Sequence, residues 1–184
     1  MNANALLSRD DLLTDCERSM RYHHARERFL NTAHLFIQFV VFALTTTGTV
    51  WLIESFVGEW FGLGLLAAAS ALALCSLIFR PAEKAGLHRS LYRSFTLLAG
   101  AISSTANPDE ATRAEWTRNI HALYAEEPPV FRALLAHCDN QVAIALGARH
   151  DDDYFVDLKL HQRLLRNFLP FQDTDFLNRS QARQ

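Results

Sequence analysis

Two stretches of the chain contain no Asp, Glu, Lys or Arg: residues 33–53, AHLFIQFVVFALTTTGTVWLI, and residues 61–79, FGLGLLAAASALALCSLIF. At about 1.5 Å of rise per residue they make helices of roughly 31 and 28 Å, each close to one hydrocarbon thickness. The connector 54–60 is too short to be a domain, so the pattern predicts a membrane hairpin. A core hairpin of a soluble bundle can also be apolar all round, but it usually carries a charge within every two turns, and neither run does. The first run starts too far from Met1 for a secretory signal, and a second run follows it.

The remaining pattern is helical. Ser8 is placed to cap a helix from Arg9, with Asp10 and Asp11 in its first turn, and Leu12, Leu13, Cys16 and Met20 form a narrow apolar stripe. No Gly or Pro interrupts RYHHARERFLNTAH, so this helix is expected to run on into the first span, with Tyr22, Arg26 and Arg28 at headgroup level. Beyond Pro81, Leu87, Leu91, Phe95, Leu98 and Ile102 predict an amphipathic helix over 83–103. Asn107 and Pro108 read as a cap and first helical residue, opening a helix over 108–126 with Trp116, Ile120, Leu123 and Tyr124. Another follows over 129–146, with Phe131, Leu134, Leu135, Cys138, Val142 and Leu146 inward and Gly147 as stop. Asp157 is expected to cap a last helix ending near Leu169, with Leu160, Leu164, Leu165 and Phe168 inward; Pro170 closes it. No stretch alternates as a strand. The predicted fold is an all-α membrane protein: stem 1–32, hairpin 33–79, cytoplasmic helical region 80–169 and tail 170–184.

The two spans differ. His34, Gln38, Thr45 and Thr49 are separated by four, seven and four residues, which places them on one helix face. Polar side chains avoid acyl chains, so this strip either hydrogen-bonds a neighbouring helix or lines a water-filled space in an oligomer. The second span has a small-residue strip, Gly64, Ala68, Ala71 and Cys75, suited to close packing against the first span or another copy.

Charge orients the hairpin. Arg21, Arg26, Arg28, Arg80, Lys84, Arg89 and Arg93 flank the outer ends of the spans, whereas the connector carries Glu54 and Glu59 and no cation. The positive-inside rule then puts both termini in the cytoplasm, with the protein in the cell's inner membrane, and Trp51 and Trp60 at the opposite interface. The net charge of −2 gives no field for nucleic acid. Three scattered cysteines, Cys16, Cys75 and Cys138, form neither a disulfide framework nor a metal spacing.

Catalytic spacings are missing: no Gly-rich phosphate loop, GxSxG, HExxH or CxxC occurs. His137 and Cys138 are adjacent on a helix and point about 100° apart. His150 with Asp151, Asp152 and Asp153 reads as an acidic loop before it reads as a cation site. No enzyme, cofactor or metal is expected.

An Arg-rich helix (RYHHARERF) entering two spans, then LHRSLYRSF and LYAEEPPVFRALLAHCDN, resembles the SLATT group over residues 12–146. That group comprises two-transmembrane effector domains associated with nucleotide-sensing systems in bacterial defence and mobile-element settings. The resemblance implies a helical protein that oligomerises into a pore and compromises the cell. His34, Gln38, Thr45 and Thr49 would line it, with Arg26, Arg28, His88 and Tyr92 supporting the cytoplasmic junction. No nucleotide-sensor domain or Gly-rich ligand loop accompanies these helices, so the trigger would be a separate sensor protein, an unseen pocket or the cytoplasmic bundle itself. The other expectation is a non-enzymatic, prophage-type module, anchored in the lipid bilayer, whose cytoplasmic helices bind a protein partner.

Overall fold

The computed structural model describes residues 7–54, 59–149 and 152–179, and it is all-helical there. The helices are α1 (Arg9–Glu54), α2 (Glu59–Phe79), α3 (Pro81–Ser104), α4 (Glu110–Glu126), α5 (Arg132–Ala145) and α6 (Leu160–Leu165). His150 and Asp151 of the acidic loop, most of the connector and the last five residues lie outside the described residues. The chain divides into two units, Glu27–Leu87, and Met1–Arg26 with His88–Gln184.

Helix α1 begins in a reciprocal cap. The Asp11 N–H donates to Ser8 Oγ, and the Ser8 N–H donates to Asp11 Oδ2, both at 3.1 Å. It then continues without a break through the stem and the first apolar run, as the sequence predicted. Between α2 and α3 a single residue turns the chain: Arg80 adopts φ +49°, and Pro81 opens α3 with the φ a first helical turn needs.

Within the hairpin unit the helices meet at glycine. A Cβ on Gly62 would lie 2.9 Å from the Gly48 carbonyl oxygen, and one on Gly48 would lie 3.0 Å from the Gly62 oxygen. Both helices are long and apolar enough to cross a membrane, with mean hydropathy of 1.8 and 2.2 over their most apolar 18 residues. Only 6% and 11% of those residues are buried, so the surface that a soluble core helix would cover is open.

In the larger unit α1 and α3 pair antiparallel. Arg9 donates from Nε to the Ile102 carbonyl, and 14 residues further along each helix His23 meets His88. The buried positions on α1 are Leu12, Cys16, Ser19, His23, Arg26 and Leu30, a spacing of four and three repeated. Leu12 and Cys16 pack with Phe95, Ile102, Trp116 and Ile120 in the main core. A second cluster holds Tyr22, Leu134 and Cys138, and a third holds Ala133, Ala136 and Leu158.

Several local expectations are corrected. Helix α4 starts at Glu110, because Asp109 and not Asn107 is the cap: its carboxylate accepts the Thr112 N–H at 2.8 Å. Helix α5 starts three residues late, at Arg132, since Phe131 keeps extended backbone after the two prolines. Its end is a Schellman turn: Gly147, at φ +93°, donates to Ile144 and Ala148 donates to Ala143. Leu87 and Leu146 are exposed, not inward. Asp157 caps no helix, because both its oxygens bind Arg179, at 2.8 and 2.9 Å. Residues 171–179 are no loose tail: Val156 bridges Asn178, and Phe171 and Phe176 pack on the third cluster. Leu160, Leu164, Leu165 and Phe168 face outward, because α6 is only six residues long and turns Gln162 inward instead.

Candidate functional site

The most organised polar site is in the larger unit, where the α1 stripe passes through His23 and Arg26. The two imidazoles of His23 and His88 meet Nδ1 to Nδ1 at 2.9 Å, and His23 Nε2 lies 2.9 Å from Glu127 Oε1. His23 is stacked on Phe95, 5.6 Å between centroids and 17° between planes, and Tyr22 presents its ring edge to both histidines. The Tyr22 hydroxyl accepts the Phe131 N–H at 3.0 Å, which is the N-cap of α5. Arg26 lies 3.9 Å above the Phe131 ring and donates from Nη1 to the Asn167 carbonyl at 2.7 Å. Four segments are thereby tied to one face of α1.

The geometry restricts the protons. With His23 Nε2–H donating to the Glu127 carboxylate, His23 Nδ1 is an acceptor and His88 Nδ1–H donates to it. One additional proton fits only as a His23 imidazolium that donates to both neighbours, with His88 carrying its hydrogen on Nε2. Two imidazolium rings cannot share this contact, since both Nδ1 atoms would be donors. Burial first, then His23 and the Arg26 cation, push the His88 pKa down to about 3. Burial also lowers the Arg26 guanidinium from its ordinary value. His23 has both ring nitrogens engaged and no exposed surface, so the site holds segments together and presents no free imidazole nitrogen on His23.

Beside it a cleft of about 430 Å³ is lined by Arg18, Tyr22, Tyr124, Glu127 and Pro129. Glu127 is common to the cleft and the histidine pair. The thiols of Cys16 and Cys138 are buried, which raises both pKa values to about 12 and leaves them inert. Among the described residues no cluster of three or more His, Cys, Asp or Glu side chains could hold a metal ion.

This site was not singled out from the sequence, and it takes two residues from where they were expected. Tyr22 and Arg26 are buried in the unit, not at headgroup level, because the phenol and guanidinium each find partners on the α4–α5 connector and beyond. Of the other basic residues, Arg28, Arg80, Lys84, Arg89 and Arg93 are exposed, and Arg21 is half-buried beside Glu17. The signal for a buried His23 and Arg26 was present: the four-and-three spacing of Leu12 and Cys16 continues through Ser19 to both.

In the hairpin unit the polar strip is split. His34 and Gln38 line a recess of about 230 Å³ with Val41, Ala73 and Ser76, and His34 Nδ1 is buried there without a hydrogen-bond partner. Thr45 and Thr49 are exposed, and each hydroxyl donates to its own helix, to the Val41 and Thr45 carbonyls at 2.8 Å. Gly64, Ala68, Ala71 and Cys75 are exposed too. The approach between the spans uses Gly48 and Gly62, so the small-residue strip is left outward.

No protein-family model matches the chain, and neither a curated protein nor a solved structure matches it.

Proposed function

We propose that this is an integral membrane protein whose hairpin assembles copy against copy into a pore or a membrane-perturbing oligomer. The observation that carries the reading is a polar strip left open on an apolar hairpin. Phe36, Phe39 and Phe42 are 65–70% exposed, which only hydrocarbon or another apolar surface would cover. On the same helix Gln38, Thr45 and Thr49 are also exposed. A carboxamide facing acyl chains is costly, and a neighbouring copy or a water-filled lumen relieves that cost. The outward small-residue strip on α2 suits the helix-to-helix approach that such assembly needs. The exposed cations at the outer ends of the spans support termini in the cytoplasm. The loose likeness to the SLATT group fits this architecture, and the larger helical unit would be the part that receives a signal or a partner.

Induced expression with a membrane-potential dye tests it. Wild type should collapse the potential, and Gln38→Leu with Thr45→Leu should restore it at equal membrane levels. An intact potential at high membrane levels of wild type would instead favour an anchored module that binds a protein partner.

A further inference from the structure

The outward face of α6 is the feature the fold does not use. Leu160, Leu164 and Phe168 are 74%, 68% and 64% exposed, and their spacing of four stacks them in one ridge. Gln162, on the other side of the same helix, is buried. A helix whose apolar side is outward and whose polar side is inward is inverted for a protein in water.

We infer that this ridge docks on the anionic leaflet of the bilayer that the hairpin crosses. Three observations select lipid over protein. Residues 158–172 contain Lys159, Arg163 and Arg166 and no Asp or Glu, so the ridge is flanked by cations alone, as an interfacial amphipathic segment is. The end of the ridge is tied to the stem: the Asn167 carbonyl holds Arg26, and Arg26 lies seven residues before the uncharged run of α1, about 10 Å of helix rise. This tether keeps the ridge within reach of a leaflet at high effective concentration, so a small apolar contact suffices. A protein partner, by contrast, needs roughly 800 Å² on each side for a stable contact, far more than three side chains supply.

The inference rests on the membrane reading of the hairpin, and one experiment separates the two. In a Cys75→Ala background, with Cys16 and Cys138 buried, an environment-sensitive fluorophore is placed at Leu164→Cys, at Leu74→Cys in α2, or at the exposed Glu115→Cys in α4. The full chain is reconstituted in phosphatidylglycerol or phosphatidylcholine vesicles with brominated acyl chains. The expected result is a blue-shifted, lipid-quenched label at 164 in phosphatidylglycerol, a several-fold loss of that quenching in phosphatidylcholine, quenching at 74 in both, and none at 115. Quenching at 74 with a water-exposed label at 164 overturns the docking and leaves the membrane reading intact. A label at 164 that is shielded from aqueous iodide but not quenched by lipid means that protein covers the ridge, which also overturns it. Equal quenching in both lipids overturns the anionic selectivity on which the proposal stands. No quenching at 74 removes the membrane reading itself.

Discussion

His23 and His88 face each other through the same ring atom, Nδ1, at 2.9 Å, and the contact holds a single proton between them. The pair joins α1 to α3, the two helices that lead to and from the hairpin, at a depth where neither ring reaches water. Phe95 stacked on one side, Glu127 on Nε2 and Arg26 nearby complete the surroundings.

That contact predicts an acid-labile unit. His88 in the folded chain resists protonation down to about pH 3, whereas the unfolded chain takes the proton at the ordinary value of 6.5. The stabilisation is therefore complete above pH 6.5 and is lost as pH falls, at about 1.4 kcal/mol per pH unit. The opposite slope from Asp139, whose carboxyl burial raises, is common to both proteins in a comparison with His88→Asn. This variant keeps a donor near the Nδ1 position and removes the titration. Thermal unfolding of the full chain in micelles should show wild type losing about 2 kcal/mol more than His88→Asn between pH 6.5 and 5. Parallel pH profiles would refute the pairing.

Arg26 should behave as a buried structural cation and not as an orientation signal. Its fork reaches Asn167 while its plane covers Phe131, a combination that lysine cannot reproduce. Arg26→Lys should cost about 1–2 kcal/mol and Arg26→Ala about 3, read from the unfolding midpoint. Neither should alter topology. Replacing Arg80, Lys84, Arg89 and Arg93 together by Gln should instead produce inverted molecules, detected by accessibility of a cysteine placed in the connector to impermeant maleimide.

The division between what was and was not legible in the sequence follows from these residues. The spans, the continuous α1 and the stripes of Leu12, Cys16, Phe95, Ile102, Trp116 and Ile120 were readable, because apolar periodicity reports directly on burial. Tyr22, His23, Arg26 and His88 were not, since a polar residue on a stripe is buried only if distant partners satisfy it, and Glu127, Phe131 and Asn167 are about a hundred or more residues away from the stem. The outward leucines of α6 failed for a related reason. Periodicity identifies a ridge but not which side of the helix the rest of the fold covers.

The hairpin contact gives a sharp contrast between two glycines. At Gly62 an added Cβ would meet the Gly48 carbonyl at 2.9 Å and Leu52 at 3.0 Å, with backbone on one side that cannot yield cheaply. At Gly64 an added Cβ meets nothing within 4 Å. Gly62→Ala should therefore separate the spans and cost about 1–3 kcal/mol. Gly64→Ala should leave the monomer unchanged or slightly more stable, as expected for glycine replaced within a helix. If copies associate through the outward small-residue strip, the bulkier Gly64→Leu should reduce crosslinked oligomer several-fold while Gly62→Ala lowers the unfolding midpoint. Crosslinking in native membranes combined with melting in micelles reads the two effects separately, and an oligomer untouched by Gly64→Leu would place the copy-to-copy contact elsewhere, with the exposed Gln38, Thr45 and Thr49 strip of α1 as the remaining candidate surface.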